Sequence, residues 1–113
     1  MEMDISELGE NKVKVKLTGR LDTPGVGRIE TRFVAALVPG ARSAIVDLSG
    51  VEFIASLGVR MFLSAARGLH LRQARLVLFA PQEQVREVFE NVSLADIITV
   101  VDDEPGALAA LTA

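Results

Sequence analysis

The chain has 113 residues, of which 50% are apolar and 4% aromatic, and 12 basic against 15 acidic residues give a net charge of −3. This length fits one domain, residues 1–113, with an aliphatic core. The acidic balance argues against a direct nucleic-acid partner, and the lack of cysteine excludes disulfides and thiolate chemistry. We expect a cytoplasmic protein, since no segment is long enough for membrane insertion and the acidic N-terminus is unlike a signal peptide.

The N-terminal segment predicts a hairpin of two strands. Residues 3–8 form the first strand, and Gly9 to Lys12 supply the turn. From Lys12 to Gly19, valine and leucine alternate with lysine, which is the period of a strand with one buried and one solvated face.

A glycine-rich loop, GRLDTPGVG, leads from this hairpin to a helix predicted over Val26 to Val38. The loop matches neither common phosphate-binding pattern and contains no lysine to meet a phosphate. Its simplest role is a turn in which Asp22 or Thr23 caps the helix, because short oxygen-bearing side chains accept the free N–H groups of the first turn.

Two continuous apolar runs, 43–48 and 74–80, predict buried strands of a parallel sheet. The segment Leu57 to Leu69 between them is long and apolar enough to be their crossover helix. A third helix is predicted over 82–92, a last strand over Asp96 to Val101, and a terminal helix over 102–113. Together these elements predict a small α/β domain with a mixed open sheet and about four helices.

The residues that usually carry catalysis are sparse. His70 is the single histidine, and with no cysteine available a metal site is not indicated. A triad of Ser56, His70 and Asp22 or Asp47 fails, because His70 should lie about 20 Å along a helix from Ser56. We predict no cofactor and no enzymatic activity.

Ser56 is the most informative polar residue. At the start of a predicted helix, serine is a good N-cap, and capping is its simplest role. Two features favour a functional role: Gly58 is costly in a first helical turn, and Ser56 follows the carboxyl end of a parallel strand, where ligands and partners usually bind. Both interpretations stay open on the residues alone.

Three motifs resemble the STAS domain, the sulphate-transporter and anti-sigma factor antagonist family. They are VDLSGVEFIASLGVRMFL (46–63), LTGRLDT (17–23) and the closing segment APQEQVREVFENVSLADIITVVDDEPGALAAL (80–111). The resemblance extends over essentially the whole chain, with the motifs in the family's order and spacing.

The resemblance implies a non-enzymatic switch. In anti-sigma factor antagonists of this family, a partner serine kinase, the anti-sigma factor, phosphorylates the serine that matches Ser56, and a serine phosphatase reverses the modification. The unmodified protein binds the kinase and releases the sigma factor. Asp22 matches a loop aspartate of the kinase-facing surface, and Gly58 matches the glycine that follows the switch.

The chain departs from the family pattern at Ala55, where aspartate is usual, and at Leu57, where a second hydroxyl residue is usual. We expect a partner surface formed by the six residues Asp22, Ala55, Leu57, Gly58, Val59 and Arg60. For Leu57 and Val59, burial in the core is an equally good interpretation. The departures favour an alternative function, that of an unphosphorylated STAS subunit of a lipid-transporting ABC system or of a signalling scaffold.

Overall fold

A computed structural model describes residues 1–112, with five strands and four α-helices in that range. The strands are β1 (Glu2–Gly9), β2 (Lys12–Leu21), β3 (Ser43–Ile54), β4 (Leu76–Phe79) and β5 (Thr99–Val101). The helices are α1 (Thr23–Leu37), α2 (Ser56–Leu71), α3 (Glu83–Asn91) and α4 (Glu104–Thr112). The predicted fold class, with its N-terminal hairpin and alternating helices and strands, is confirmed.

The strands form one open sheet in which their order in space equals their order in the chain. β1 and β2 pair antiparallel, whereas β2–β3, β3–β4 and β4–β5 are parallel pairs. Helices supply the crossovers that parallel neighbours require. Because β2 to β5 run in one direction, their carboxyl ends share one edge of the sheet, and the segments that follow them meet there.

The sheet separates a large core from a small one. In β2, the side chains of Val13, Val15 and Leu17 are fully buried, and lysines occupy the alternate positions, as their period predicts. The rings of Phe33 in α1 and Phe62 in α2 meet edge to face, with centroids 5.9 Å apart. On the other face, α4 packs on β3 and β4 through a smaller apolar cluster: Ile45, Val77, Phe79, Ala107 and Leu111.

β3 is six residues longer than the predicted strand 43–48, because it also includes the segment 49–54, for which the sequence predicts no strand. The register between β2 and β3 shifts twice, between Lys16 and Thr18 and between Gly19 and Arg20 of β2, so β3 carries an extra residue at each point. These bulges interrupt the alternation of buried and exposed side chains. A period-two pattern therefore could not reveal the second half of β3.

The last strand is shorter than predicted. A 3-10 turn occupies Leu94–Asp96, and the N–H groups of Ile97 and Ile98 both donate to the Leu94 carbonyl, at 2.9 Å each. This turn buries Ile98 in the large core and leaves Ile97 exposed, so β5 begins only at Thr99.

The bounds of the helices differ from the sequence predictions by only a few residues. The largest difference is at the start of α1, which begins at Thr23, three residues before the predicted Val26.

Candidate functional site

The ends of β2 and β3 bring the two candidate segments together. Leu21 and Ile54 are register partners, and the Ala55 N–H donates to the Leu21 carbonyl at 2.9 Å. Asp22 follows Leu21 directly, and Ser56 follows Ala55. The loop before α1 and the first turn of α2 are therefore neighbours at the carboxyl edge of the sheet.

Asp22 is the N-cap of α1, as the sequence predicts for Asp22 or Thr23. Its Oδ1 accepts from the Gly25 N–H at 2.9 Å, and its Oδ2 lies 3.4 Å from Arg20 Nε. The Gly25 N–H, and then the Arg20 guanidinium, lower the pKa of the Asp22 carboxyl below its ordinary value. Asp22 is therefore a partly exposed carboxylate that is held in place from two sides.

The prediction that Ser56 caps α2 is wrong. Ala55 occupies the N-cap position with extended backbone angles (φ −103°, ψ 175°), and its carbonyl accepts from the N–H groups of Gly58 at 2.9 Å and Val59 at 3.2 Å. Ser56 is the first helical residue and is exposed. Because β3 continues to Ile54, only Ala55 is left to make the turn from strand to helix.

Two of the six predicted surface residues lie beneath the surface. A Cβ on Gly58 would lie 2.8 Å from Ile54 Cγ1 and 3.1 Å from Leu21 Cβ, so the glycine lets the first turn of α2 pack closely on the two strand ends. Val59 is only 7% exposed and joins the large core. For Val59, the interpretation as a core residue is the one that the structure supports.

The other side chains at this edge remain accessible. Leu57 is 37% exposed, Arg60 is exposed, and Ala55 is half-buried. Sequence reasoning missed Phe53, whose ring is partly exposed and has the Arg20 guanidinium 4.4 Å from its centroid. Arg20 and Phe53 are register partners across β2 and β3, and only that register could have revealed the pair.

A groove of about 270 Å³ runs from this edge between α2 and α3, lined by Ser56, Val59, Arg60, Leu63, Val88 and Val92. Sequence reasoning also missed Val88 of α3 and Val92, the residue that follows this helix, because no local pattern places α3 beside Ser56. The surface around Ser56 therefore includes a mainly apolar groove with one exposed arginine, Arg60.

His70 lies outside this site. It occupies the last turn of the continuous helix that begins at Ser56, so the two side chains are about 20 Å apart along the axis. It lines a separate groove of about 450 Å³, together with Asp96 and Ile97, near the opposite edge of the sheet. Asp47 is 8% exposed, and its Oδ1 accepts from the Ser49 N–H at 2.9 Å, which makes it a structural residue of β3.

Two further features are absent from residues 1–112. No group of three or more histidine, cysteine, aspartate or glutamate side chains is arranged to hold a metal ion there. The same range contains no helix that is long and apolar enough to span a bilayer.

Comparison with known proteins identifies the family. A family model described as "Mlab, STAS domain" matches residues 6–101. The chain belongs to the STAS domain family. The Bordetella bronchiseptica protein BtrV, whose name gives it as a candidate anti-sigma factor antagonist, is 32% identical over 94 residues, which cover 83% of this chain and 81% of BtrV.

Solved STAS structures share the fold. The anti-sigma factor antagonist SpoIIAA in its unphosphorylated form superposes with a TM-score of 0.81 and 25% identity, covering 98% of this chain and 96% of SpoIIAA. Bacillus SpoIIAA in its phosphorylated form superposes with a TM-score of 0.73 at 22% identity, over 96% of this chain and 98% of that one.

Proposed function

We propose that this STAS domain is an anti-sigma factor antagonist whose binding to a partner serine kinase is switched off by phosphorylation of Ser56. The proposal is carried by the position of Ser56, an exposed hydroxyl on the first turn of α2, beside the Asp22 loop. The names of the related proteins support this class of function. A serine phosphatase of the host resets the switch.

The modified form should stay folded. Ser56 is exposed, and the N–H groups of Ser56 and Leu57 precede that of Gly58, the first intrahelical donor. Free N–H groups and the positive end of the helix dipole tolerate a phosphate at this position. Phosphorylation therefore acts on the surface, where it adds about −1.5 to −2 charges at pH 7.

The added charge opposes docking in two ways. A dianion close to the acidic side chain of Asp22 repels an acidic partner surface. It also introduces a hydrated group next to Leu57 and the apolar groove, where close contact must exclude water. The contact residues are Asp22, Ala55, Leu57 and Arg60, while buried Gly58 and Val59 support them from below.

Mass spectrometry of the intact protein tests whether Ser56 is modified. Protein purified from its native host should show a fraction heavier by one phosphoryl group, which phosphatase removes. Ser56→Ala should abolish that fraction, and Ser64→Ala, a change at another exposed serine of α2, should leave it unchanged. A phosphoryl group that persists in Ser56→Ala would contradict the assignment.

Binding to the host's anti-sigma factor kinase tests the switch itself. Ser56→Glu should abolish the binding that the wild type shows, whereas the neutral isostere Ser56→Gln should retain most of it, because charge rather than size blocks docking. Circular dichroism should show the same fold for both variants. Binding of Ser56→Glu at wild-type affinity would overturn the proposal.

The second candidate is a STAS subunit of a lipid-transporting ABC system or of a signalling scaffold. It is favoured by Ala55 and Leu57, which replace the family's aspartate and second hydroxyl residue beside Ser56. In that case the host protein should carry no phosphoryl group and should purify in fixed stoichiometry with the other subunits of the assembly.

A further inference from the structure

Arg60 lies one helical turn after Ser56 on the same side of α2. Side chains four residues apart on a helix have Cβ atoms about 5–6 Å apart. Both residues are exposed, and both line the groove between α2 and α3. A group attached to the Ser56 hydroxyl is therefore within reach of the Arg60 guanidinium.

Two other arginines, Arg20 and Arg67, are poor candidates for the same role. Arg20 is bound to Asp22 and stacked on the ring of Phe53. Arg67 is eleven residues after Ser56 on α2, about 16 Å along the axis. Arg60 itself makes no ion pair with any residue in the described range 1–112.

The surroundings favour pairing between a phosphate on Ser56 and Arg60. Guanidinium groups bind phosphate through two parallel N–H donors, and an anion four residues before a cation is the better orientation on a helix. Across the groove, Val88 and Val92 present no competing charge.

We infer that Arg60 is the internal counter-ion of phosphorylated Ser56. Phosphorylation then changes the surface in two ways: it adds an anion, and it makes the guanidinium of Arg60 less available to an incoming partner. This inference rests on the proposed function for the claim that Ser56 is a modification site. The pairing itself is a property of the phosphorylated chain, whichever enzyme modifies it.

Phosphorus-31 NMR on protein that carries phosphoserine, incorporated at position 56 during translation, tests the pairing. A titration between about pH 4 and 9 follows the second ionisation of the phosphate, whose ordinary pKa is about 6. Arg60 favours the dianion, so Arg60→Gln should raise this pKa by about 0.3–0.7 of a unit, the size expected for an exposed pair. Arg60→Lys should recover part of the difference.

Arg67→Gln is the matched control, since it removes the same charge from the same helix out of reach of Ser56. It should leave the phosphate pKa within about 0.1 of the wild-type value. In the wild type, phosphorylation should also slow the exchange of the Arg60 Nε proton with water. Asp22, Glu52 and Arg20 are the same in every variant, so their charges do not contribute to the difference in phosphate pKa between variants.

Equal pKa values in the wild type and Arg60→Gln, or an equal shift in Arg67→Gln, would overturn the inference. The phosphate is incorporated without a kinase, so the titration gives its answer even if the host never modifies Ser56. Failure of the proposed function would appear in the mass measurement on host protein, and failure of this inference would appear in the titration.

Discussion

At the scale of single residues, Asp22 both caps α1 and belongs to the candidate partner surface. One oxygen accepts from the Gly25 N–H and the other faces Arg20, which itself lies over Phe53. The carboxylate is thereby oriented before any partner arrives. Such preorganisation reduces the entropy that is lost when a partner binds.

Asp22→Asn should change how stability depends on pH. Asparagine is an equally good N-cap but does not ionise. The folded pKa of Asp22 lies below its ordinary value of 3.8, so the charge stabilises the fold above 3.8, and this contribution is lost as the pH falls through the folded pKa. The melting temperature of the wild type should exceed that of Asp22→Asn at pH 7, and the gap should close toward pH 2.

The comparison is internally controlled, because other carboxylates with a lowered pKa, such as Glu7 beside Arg42, titrate in both proteins. Parallel melting curves across the whole pH range would show that the charge of Asp22 contributes nothing to folding.

Gly58→Ala should destabilise the protein by about 1–3 kcal/mol. Alanine is the better helix former by about 1 kcal/mol, but its Cβ would lie 2.8 Å from Ile54 Cγ1 and 3.1 Å from Leu21 Cβ. Both neighbours are buried, so relief of the overlap requires α2 to move away from the strand ends. Urea unfolding measures the change.

Gly27→Ala is the matched control, since Gly27 is also helical and a Cβ there would have no neighbour within 4 Å. It should stabilise the protein by up to about 1 kcal/mol. A similar gain from Gly58→Ala would mean that the approach of α2 to β2 and β3 is looser than the geometry indicates.

At the scale of elements, α2 begins with few of the usual stabilising features. Its N-cap residue, Ala55, has no side-chain oxygen, and no acidic residue lies in the first turn. α1 and α4 begin differently: Asp22 and Asp103 accept from the N–H groups of Gly25 and Gly106. The start of α2 is therefore held mainly by its packing on the strand ends.

Ala55→Asn should raise the free energy of unfolding by about 1 kcal/mol, because a side-chain oxygen at the N-cap position satisfies a free N–H of the first turn. For a domain of this size, the melting temperature should rise by about 4 °C. Differential scanning calorimetry measures it.

Ala55→Asp separates charge from capping. Its carboxylate interacts favourably with the helix dipole but unfavourably with Asp22 nearby, and the difference between the two variants measures the balance. If neither substitution raises the free energy of unfolding, a side-chain cap adds no stability at the start of α2.

The unexpected length of β3 explains why the sequence could locate the candidate site only roughly. Its first half, 43–48, was predictable as a continuous apolar run. Its second half pairs with β2 through two bulges, and the side chains of Gln82 and Gln84 donate to the Ser49 and Glu52 carbonyls, at 2.8 and 3.0 Å. These contacts are distant in sequence, so no local pattern reports them.

The whole molecule places its candidate partner surface at one edge of the sheet. The carboxyl edge of the parallel strands carries Asp22, Ser56 and Leu57. The most exposed large apolar side chains are those of Leu71 and Ile97, and they lie toward the other edge. Exposure of apolar area alone would therefore point to the end of the molecule opposite the candidate partner surface.

Leu57→Ser should weaken binding to the kinase by about tenfold or more, because it removes the apolar contact beside Ser56. Ile97→Ser is the matched control: its side chain is 69% exposed against 37% for Leu57, but it lies outside the proposed surface. Titration calorimetry should show unchanged affinity for Ile97→Ser. The reverse order of effects would move the interface to the opposite edge.

The sequence by itself determined the class of fold, the order of its elements and the two segments that carry the candidate site. It could do so because burial period, turn residues and the STAS motifs are local patterns. Only the tertiary structure decided that Ala55 rather than Ser56 occupies the N-cap position, that Val59 is buried, and that Arg20 stacks on Phe53. Each of these depends on the register between β2 and β3 and on the packing of α2 on their ends, and those contacts join residues about thirty positions apart.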